Sequence, residues 1–118
     1  MNISAKITSK GQITLPVEMR RELRIDFVVL AELVWVLAKQ LKRPKVEIVG
    51  ALRLVAMTGA FRFGDRHILM QAIDDYAEMS ADFADFLIQR ENEAAGCIAT
   101  LTLDRKALRH PGFRHPTE

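Results

Sequence analysis

Four carboxylates stand where they could hold a cation. Glu32 interrupts the apolar run from Phe27 to Ala38. An ionised carboxylate buried in such a helix costs several kcal/mol unless it is paired or bound to a cation. Asp82 and Asp85 are three residues apart, which sets both on one helical face, where like charges repel. Asp104 directly follows the alternating segment CIATLTL, at the carboxyl end of an expected strand, and parallel strands present their chemistry there. A buried Glu, an acidic helix pair and a strand-end Asp together suggest a hard-cation site. Mg²⁺ or Mn²⁺ takes such oxygen ligands. Each residue also has a plainer reading. Asp82 can serve as a favourable charge at its helix N-terminus, worth about 0.3–1 kcal/mol. Asp104 can cap a following helix, and acidic clusters are common on solvated faces.

The other chemistry-bearing residues give weaker signals. His67, His110 and His115 lack metal-ligand spacing. Cys97 opens an apolar segment and reads as a packed core thiol. Trp35, within the most apolar stretch, reads as core rather than as a base-stacking platform. Neither a phosphate-binding Gly-rich loop nor a Gly-x-Ser-x-Gly elbow occurs.

The chain has 118 residues, 49 % hydrophobic and 27 % charged, and this balance excludes a disordered or disulfide-built class. Its net charge of +2 conceals an uneven distribution. Residues 1–25 carry five Lys/Arg against two Glu, and residues 39–53 carry five against one. Residues 65–93 carry eight Asp/Glu against two Arg. Basic stretches attract phosphate backbones. Lys39, Lys42, Arg43 and Lys45 read as a solvated helix end, or as a patch steering RNA toward an acidic cleft. A single cysteine and a polar start without a secretory apolar core fit a cytoplasmic protein. The run Phe27–Ala38 is shorter than the roughly 20 residues of a bilayer span, so no membrane partner is expected.

The elements that must position the carboxylates follow from periodicity. Residues 4–8 and 12–16 are short and β-branched around Ser9-Lys10-Gly11, which predicts a hairpin, and Pro16 opens a short helix. Ile25–Leu30 reads as a strand running into a helix, Ala31–Lys39, buried on all sides. Val46–Met57 reads as a helix with Val46, Val49, Leu52, Val55 and Ala56 inward. Phe61–Phe63 is a short strand. His67–Glu78 is a helix with Ile68, Ala72, Ile73 and Tyr76 inward. Ala81–Ala95 is a helix stopped at Gly96. Cys97–Leu103 is a strand, and Arg105–Arg109 a short helix. This alternation predicts an α/β domain with a mainly parallel sheet.

The segments VVLAELVWVL (28–37), SADFADFLIQRENEAAGC (80–97) and TLDRKALRHPGF (102–113) resemble the PIN domain of VapC-type toxins. The likeness covers about residues 25–113. It implies a three-layer α/β/α sandwich and a ribonuclease dependent on Mg²⁺ or Mn²⁺. It places the catalytic, metal-binding roles on Glu32, Asp85 and Asp104, with Asp82 as a further ligand. Thr102 matches the small hydroxyl residue two before the last Asp. The family's first strand, which ends in an Asp-Thr-Asn-like triplet, has no counterpart here. Asp26 or Asp82 is the nearest substitute for the lost Asp.

Residues 1–24 stand in that strand's place. AKITSKGQITLPVEMRRELRI (5–25) resembles the opening of the AbrB/MazE swapped-hairpin family, which includes VapB-type antitoxins. The resemblance implies dimerisation and operator-DNA binding, with Lys6, Lys10, Arg20 and Arg21 as contact residues. The expected architecture is thus an incomplete PIN-like sandwich over 26–118 preceded by an antitoxin-like hairpin and short helix over 1–25. The expected function is a metal-dependent endoribonuclease acting on RNA, or its impaired remnant, derived from a toxin–antitoxin pair by fusion. The alternatives are a DNA-binding regulator and a catalytically dead partner of a cognate toxin or antitoxin. Unpaired sheet edges left by the missing strand predict a homo-oligomer unless residues 4–15 fill the gap.

Overall fold

A computed structural model describes residues 6–7, 13–14, 24–59 and 61–117. Mixed helix and strand make up the fold. The element order is β1 (Lys6–Ile7), β2 (Ile13–Thr14), α1 (Phe27–Trp35), α2 (Lys45–Met57), α3 (Arg66–Glu78), α4 (Phe83–Ala94), β3 (Thr100–Leu101) and β4 (Phe113–Arg114). A five-residue π-helix, Val36–Gln40, extends α1, and a 3₁₀ turn, Ala107–Arg109, lies between β3 and β4. β1 and β2 pair antiparallel, with Lys6 opposite Thr14 and Ile7 opposite Ile13. The side chains of this pair, and Lys10, Arg20, Arg21 and the short helix expected after Pro16, lie outside the described residues.

The helices form because apolar residues recur at three- and four-residue spacing and bury one stripe each. Leu30 and Val34 do so on α1, and Ile48, Leu52 and Ala56 on α2. On α3 the stripe is Ile68, Leu69, Ala72, Ile73 and Tyr76, which includes the four residues expected inward; on α4 it is Phe83, Phe86 and Leu87. α3 packs between α2 and α4, and α1 leans on α4. Capping fixes the ends. Asp65 accepts the N–H groups of His67 and Ile68 at the start of α3. At the end of α4, Gly96 takes a positive φ of 87°, and the Cys97 and Gly96 N–H groups return to the Asn92 and Glu93 carbonyls. The Arg66 guanidinium closes the end of α2 on the Ala56 carbonyl and also reaches the Phe61 carbonyl at 2.8 Å.

Several expectations are corrected. The strand over Ile25–Leu30 is helix from Phe27 onward; ahead of it Asp26 is extended, Arg24 bridges Arg62, and the Ile25 N–H reaches the Arg62 carbonyl at 2.8 Å. Strand propensity at Val28 and Val29 is overridden by the Leu30–Val34 stripe, and both valines are left exposed, Val28 by 72 %. The same stripe explains why α1 is not buried all round. Glu32 lies two residues, about 200°, from both Leu30 and Val34, so it faces solvent. Trp35 is 51 % exposed rather than core. On α2 the stripe turns toward Ile48, which leaves Val46 79 % exposed and Val49 and Val55 half-buried.

The sheet is also smaller than expected. Cys97–Leu103 yields only Thr100–Leu101, because the Gly96 cap holds Cys97 back; its thiol is exposed, not packed. The short helix expected over Arg105–Arg109 is a 3₁₀ turn limited to Ala107–Arg109. Among the described residues the parallel pairing is β3 with β4 (Thr100 opposite Phe113, Leu101 opposite Arg114) plus one bridge, Arg24 to Arg62. Thr100 and Phe113 are buried, with the Phe113 ring edge-on to Phe86 of α4. Leu101 and Leu103 are exposed. No helix among the described residues is long and apolar enough to cross a membrane.

Candidate metal centre

Three of the four singled-out carboxylates meet. Asp82 occupies the N-cap position of α4, but its side chain caps nothing. Asp85 sits in the first turn of α4, its N–H on the Asp82 carbonyl at 3.1 Å. Asp104 follows β3. Each residue supplies a carboxylate oxygen, and these atoms lie within 4.8 Å of one another.

The Asp104 loop is tightly specified. The Asp104 N–H donates to Thr102 Oγ1 at 3.0 Å, and Asp104 Oδ1 accepts the Lys106 N–H at 2.8 Å. The Asp104 carbonyl accepts the Leu108 N–H. Asp104 thus closes an Asx turn onto Lys106 and does not cap the 3₁₀ turn, whose N-cap is Lys106. Thr102, singled out in the sequence only through the resemblance, is the acceptor that fixes this backbone.

Electrostatics single out Asp85. Its Oδ2 is buried and, among the described residues, has no hydrogen-bond partner. Burial raises the Asp85 pKa above its ordinary value, and the Asp104 and Asp82 carboxylates raise it further. Three other carboxylates of the acidic block are answered by cations. Asp74 pairs with Arg53 at 2.7 Å, and Asp75 and Glu93 with Arg90. Among the described residues the cation paired with the cluster is Lys39, whose Nζ lies 3.9 Å from Asp82 Oδ1, both groups being about half exposed. Three converging carboxylates with an unsatisfied buried oxygen form a hard, anionic donor set. That set fits Mg²⁺ or Mn²⁺, and offers neither the thiolate nor the imidazole that softer metals prefer.

Glu32 does not join this group. It lines a groove between α1 and α4 with Ala84, Ile88 and Glu91. Asp26 is exposed beside Arg24, at 3.5 Å, and is likewise outside the group. Of the expected DNA contacts, Lys6 lies on β1.

One link near the cluster escaped sequence reading. His110 Nε2 accepts the Ser80 N–H at 3.3 Å and lies 3.1 Å from Ser80 Oγ. This ties the loop leading to Asp82 to the turn that follows Asp104. No local spacing could reveal it, because 30 residues separate the partners. Comparison with protein-family models, with curated proteins and with solved structures finds no match for the chain.

Proposed function

We propose that the chain is a PIN-like, divalent-metal-dependent endoribonuclease with a reduced carboxylate set, derived from a toxin–antitoxin pair. The convergence of Asp82, Asp85 and Asp104 carries this reading. These three residues would hold Mg²⁺ or Mn²⁺. Bound there, the ion would lower the pKa of a water and offset negative charge at the scissile phosphate. The chain's own part is to hold the donors in place. Thr102 fixes the Asp104 backbone, α4 sets Asp82 and Asp85 on one turn, and the Ser80–His110 contact joins the two segments. With Glu32 outside the group, the set has one carboxylate fewer than the resemblance implies, and turnover is expected to be slow. The β3–β4 parallel pair, covered by α4 on one face, is compatible with a fragment of the larger α/β/α sandwich.

A Mn²⁺ titration tests this directly. The wild-type chain should bind the ion saturably, and Asp104→Asn should bind it at least tenfold more weakly. Mg²⁺-dependent cleavage of single-stranded RNA should be lost in Asp85→Asn. Cleavage that survives this substitution, or a wild-type chain that takes up no Mn²⁺, overturns the reading.

A second reading, operator-DNA binding by an antitoxin-like N-terminal segment, draws support from the β1–β2 antiparallel pair. It requires duplex binding that falls steeply with salt. A gel-shift titration at low salt that shows no complex rejects it.

A further inference from the structure

The exposure of Trp35 has no use in the metal centre. An indole buries a large apolar area when it can, and one left half in water beside charged groups is suited to a ligand with a flat apolar face. Trp35 ends α1, and Lys39 follows one turn later in the π-helix, with its Nζ 3.9 Å from Asp82. Trp35, Lys39, Tyr76 and Asp82 line one shallow cavity of about 80 Å³. It is too small to engulf a nucleobase, so a base would lie on the exposed indole. Lys42 and Arg43 follow in the sequence and among the described residues form no ion pair, but Arg43 lines a separate cavity with Leu37 and Glu47.

We infer that Trp35 and Lys39 form a nucleobase shelf for single-stranded RNA, the indole stacking one base and the ammonium meeting the adjoining phosphate. The inference rests on the RNA-cleaving reading and names how the strand would be held beside the carboxylates. Aromatic stacking serves unpaired bases of any identity, and a neighbouring cation answers the backbone charge that the carboxylates repel. The charged neighbours favour this occupant over a protein surface, which would have to desolvate Lys39 and Asp82.

Trp35 is the sole tryptophan, so its fluorescence reports on the shelf alone. The full chain is titrated with a short oligoadenylate in EDTA, which removes any contribution of the metal. Saturable quenching is expected. With a labelled oligonucleotide read by anisotropy, Trp35→Ala should bind about tenfold more weakly, the scale of one stacked base, and Trp35→Phe should keep most of the affinity. Lys39→Ala should reduce the log–log salt slope by about 0.7, the value for one phosphate contact on a single strand. An unquenched indole, or wild-type RNA affinity in Trp35→Ala, overturns the shelf. So does a Trp35→Ala chain that binds RNA normally but sediments as a smaller species, which would make the surface a contact between copies. A parallel Mn²⁺ titration keeps the two readings apart. Metal uptake without quenching rejects the shelf and spares the centre; quenching without metal uptake does the reverse.

Discussion

Arg90 grips Asp75 with two parallel hydrogen bonds, Nε to Oδ2 at 2.7 Å and Nη2 to Oδ1 at 2.9 Å. Asp75 as a residue is only 7 % exposed, and the guanidinium also reaches Glu93 at 3.1 Å. Such a fork satisfies a buried charge that would otherwise be costly. Asp85, ten residues along the chain, has no such cation among the described residues. Removing the guanidinium leaves Asp75 buried and unpaired. Arg90→Ala should therefore cost about 3 kcal/mol in urea unfolding near neutral pH. A loss below about 1 kcal/mol, the scale of an exposed pair, would show that Asp75 finds water instead.

Asp85→Asn should behave in the opposite way. Because the folded-state pKa of Asp85 is raised by burial and by its two acidic neighbours, ionising it opposes folding. The stabilising contribution of its protonated form is complete below the ordinary value of 3.8 and is lost as pH rises through the raised folded value. The amide cannot ionise, so the variant should melt above the wild type at neutral pH. The difference should close as pH falls below the ordinary value. Thermal melts across the acid range measure it. A gap that is constant with pH would remove the electrostatic explanation.

The local parts of this arrangement were legible in the sequence. Apolar spacing marked the helices that became α2, α3 and α4, and the three-residue step from Asp82 to Asp85 placed both at the start of one of them. Gly96 marked the end of α4, whereas the bond from the Asp104 N–H to Thr102 Oγ1 was not read from the sequence. Glu32 was misread because an apolar run says that a helix has a buried side without saying which side. Only the tertiary stripe of Leu30 and Val34 decides that, and it turned Glu32 and Trp35 outward. The Ser80–His110 contact and the approach of Lys39 to Asp82 are long-range, so no spacing rule encodes them. The strand over Ile25–Leu30 failed because β-branched residues report a packing environment more than a backbone preference.

Thr102 gives a more focused test of the Asp104 loop. Its Oγ1 is the acceptor for the Asp104 N–H, and Thr102 is half-buried. Thr102→Val keeps the shape and removes the acceptor, which should cost about 1 kcal/mol of stability. Thr102→Ser should retain the bond. If the bond also positions the Asp104 carboxylate, Mn²⁺ affinity should fall in the valine variant and recover in the serine variant. Equal stability and equal affinity in all three chains would show that the loop is held by its other bonds, the Lys106 N–H to Oδ1 and the Leu108 N–H to the carbonyl.

Lys42 carries a different kind of tension. It follows the π-helix with φ of 51°, a left-handed conformation, and the Arg43 N–H then returns to the Leu37 carbonyl at 2.9 Å. That geometry ends a helix most readily at glycine, because any side chain beyond Cα crowds the backbone there. Among the described residues Lys42 is the one non-glycine with positive φ. Lys42→Gly should raise stability by about 0.5–1 kcal/mol, the relief of strain being partly offset by the greater entropy of an unfolded glycine. Urea unfolding gives the stability change, and RNA affinity measured on the same variant separates the backbone effect from the lost charge. A more stable chain that binds RNA less well would mean that the strained lysine is kept for its ammonium. A less stable chain would mean that its aliphatic stem, rather than its backbone angle, sets the end of the helix.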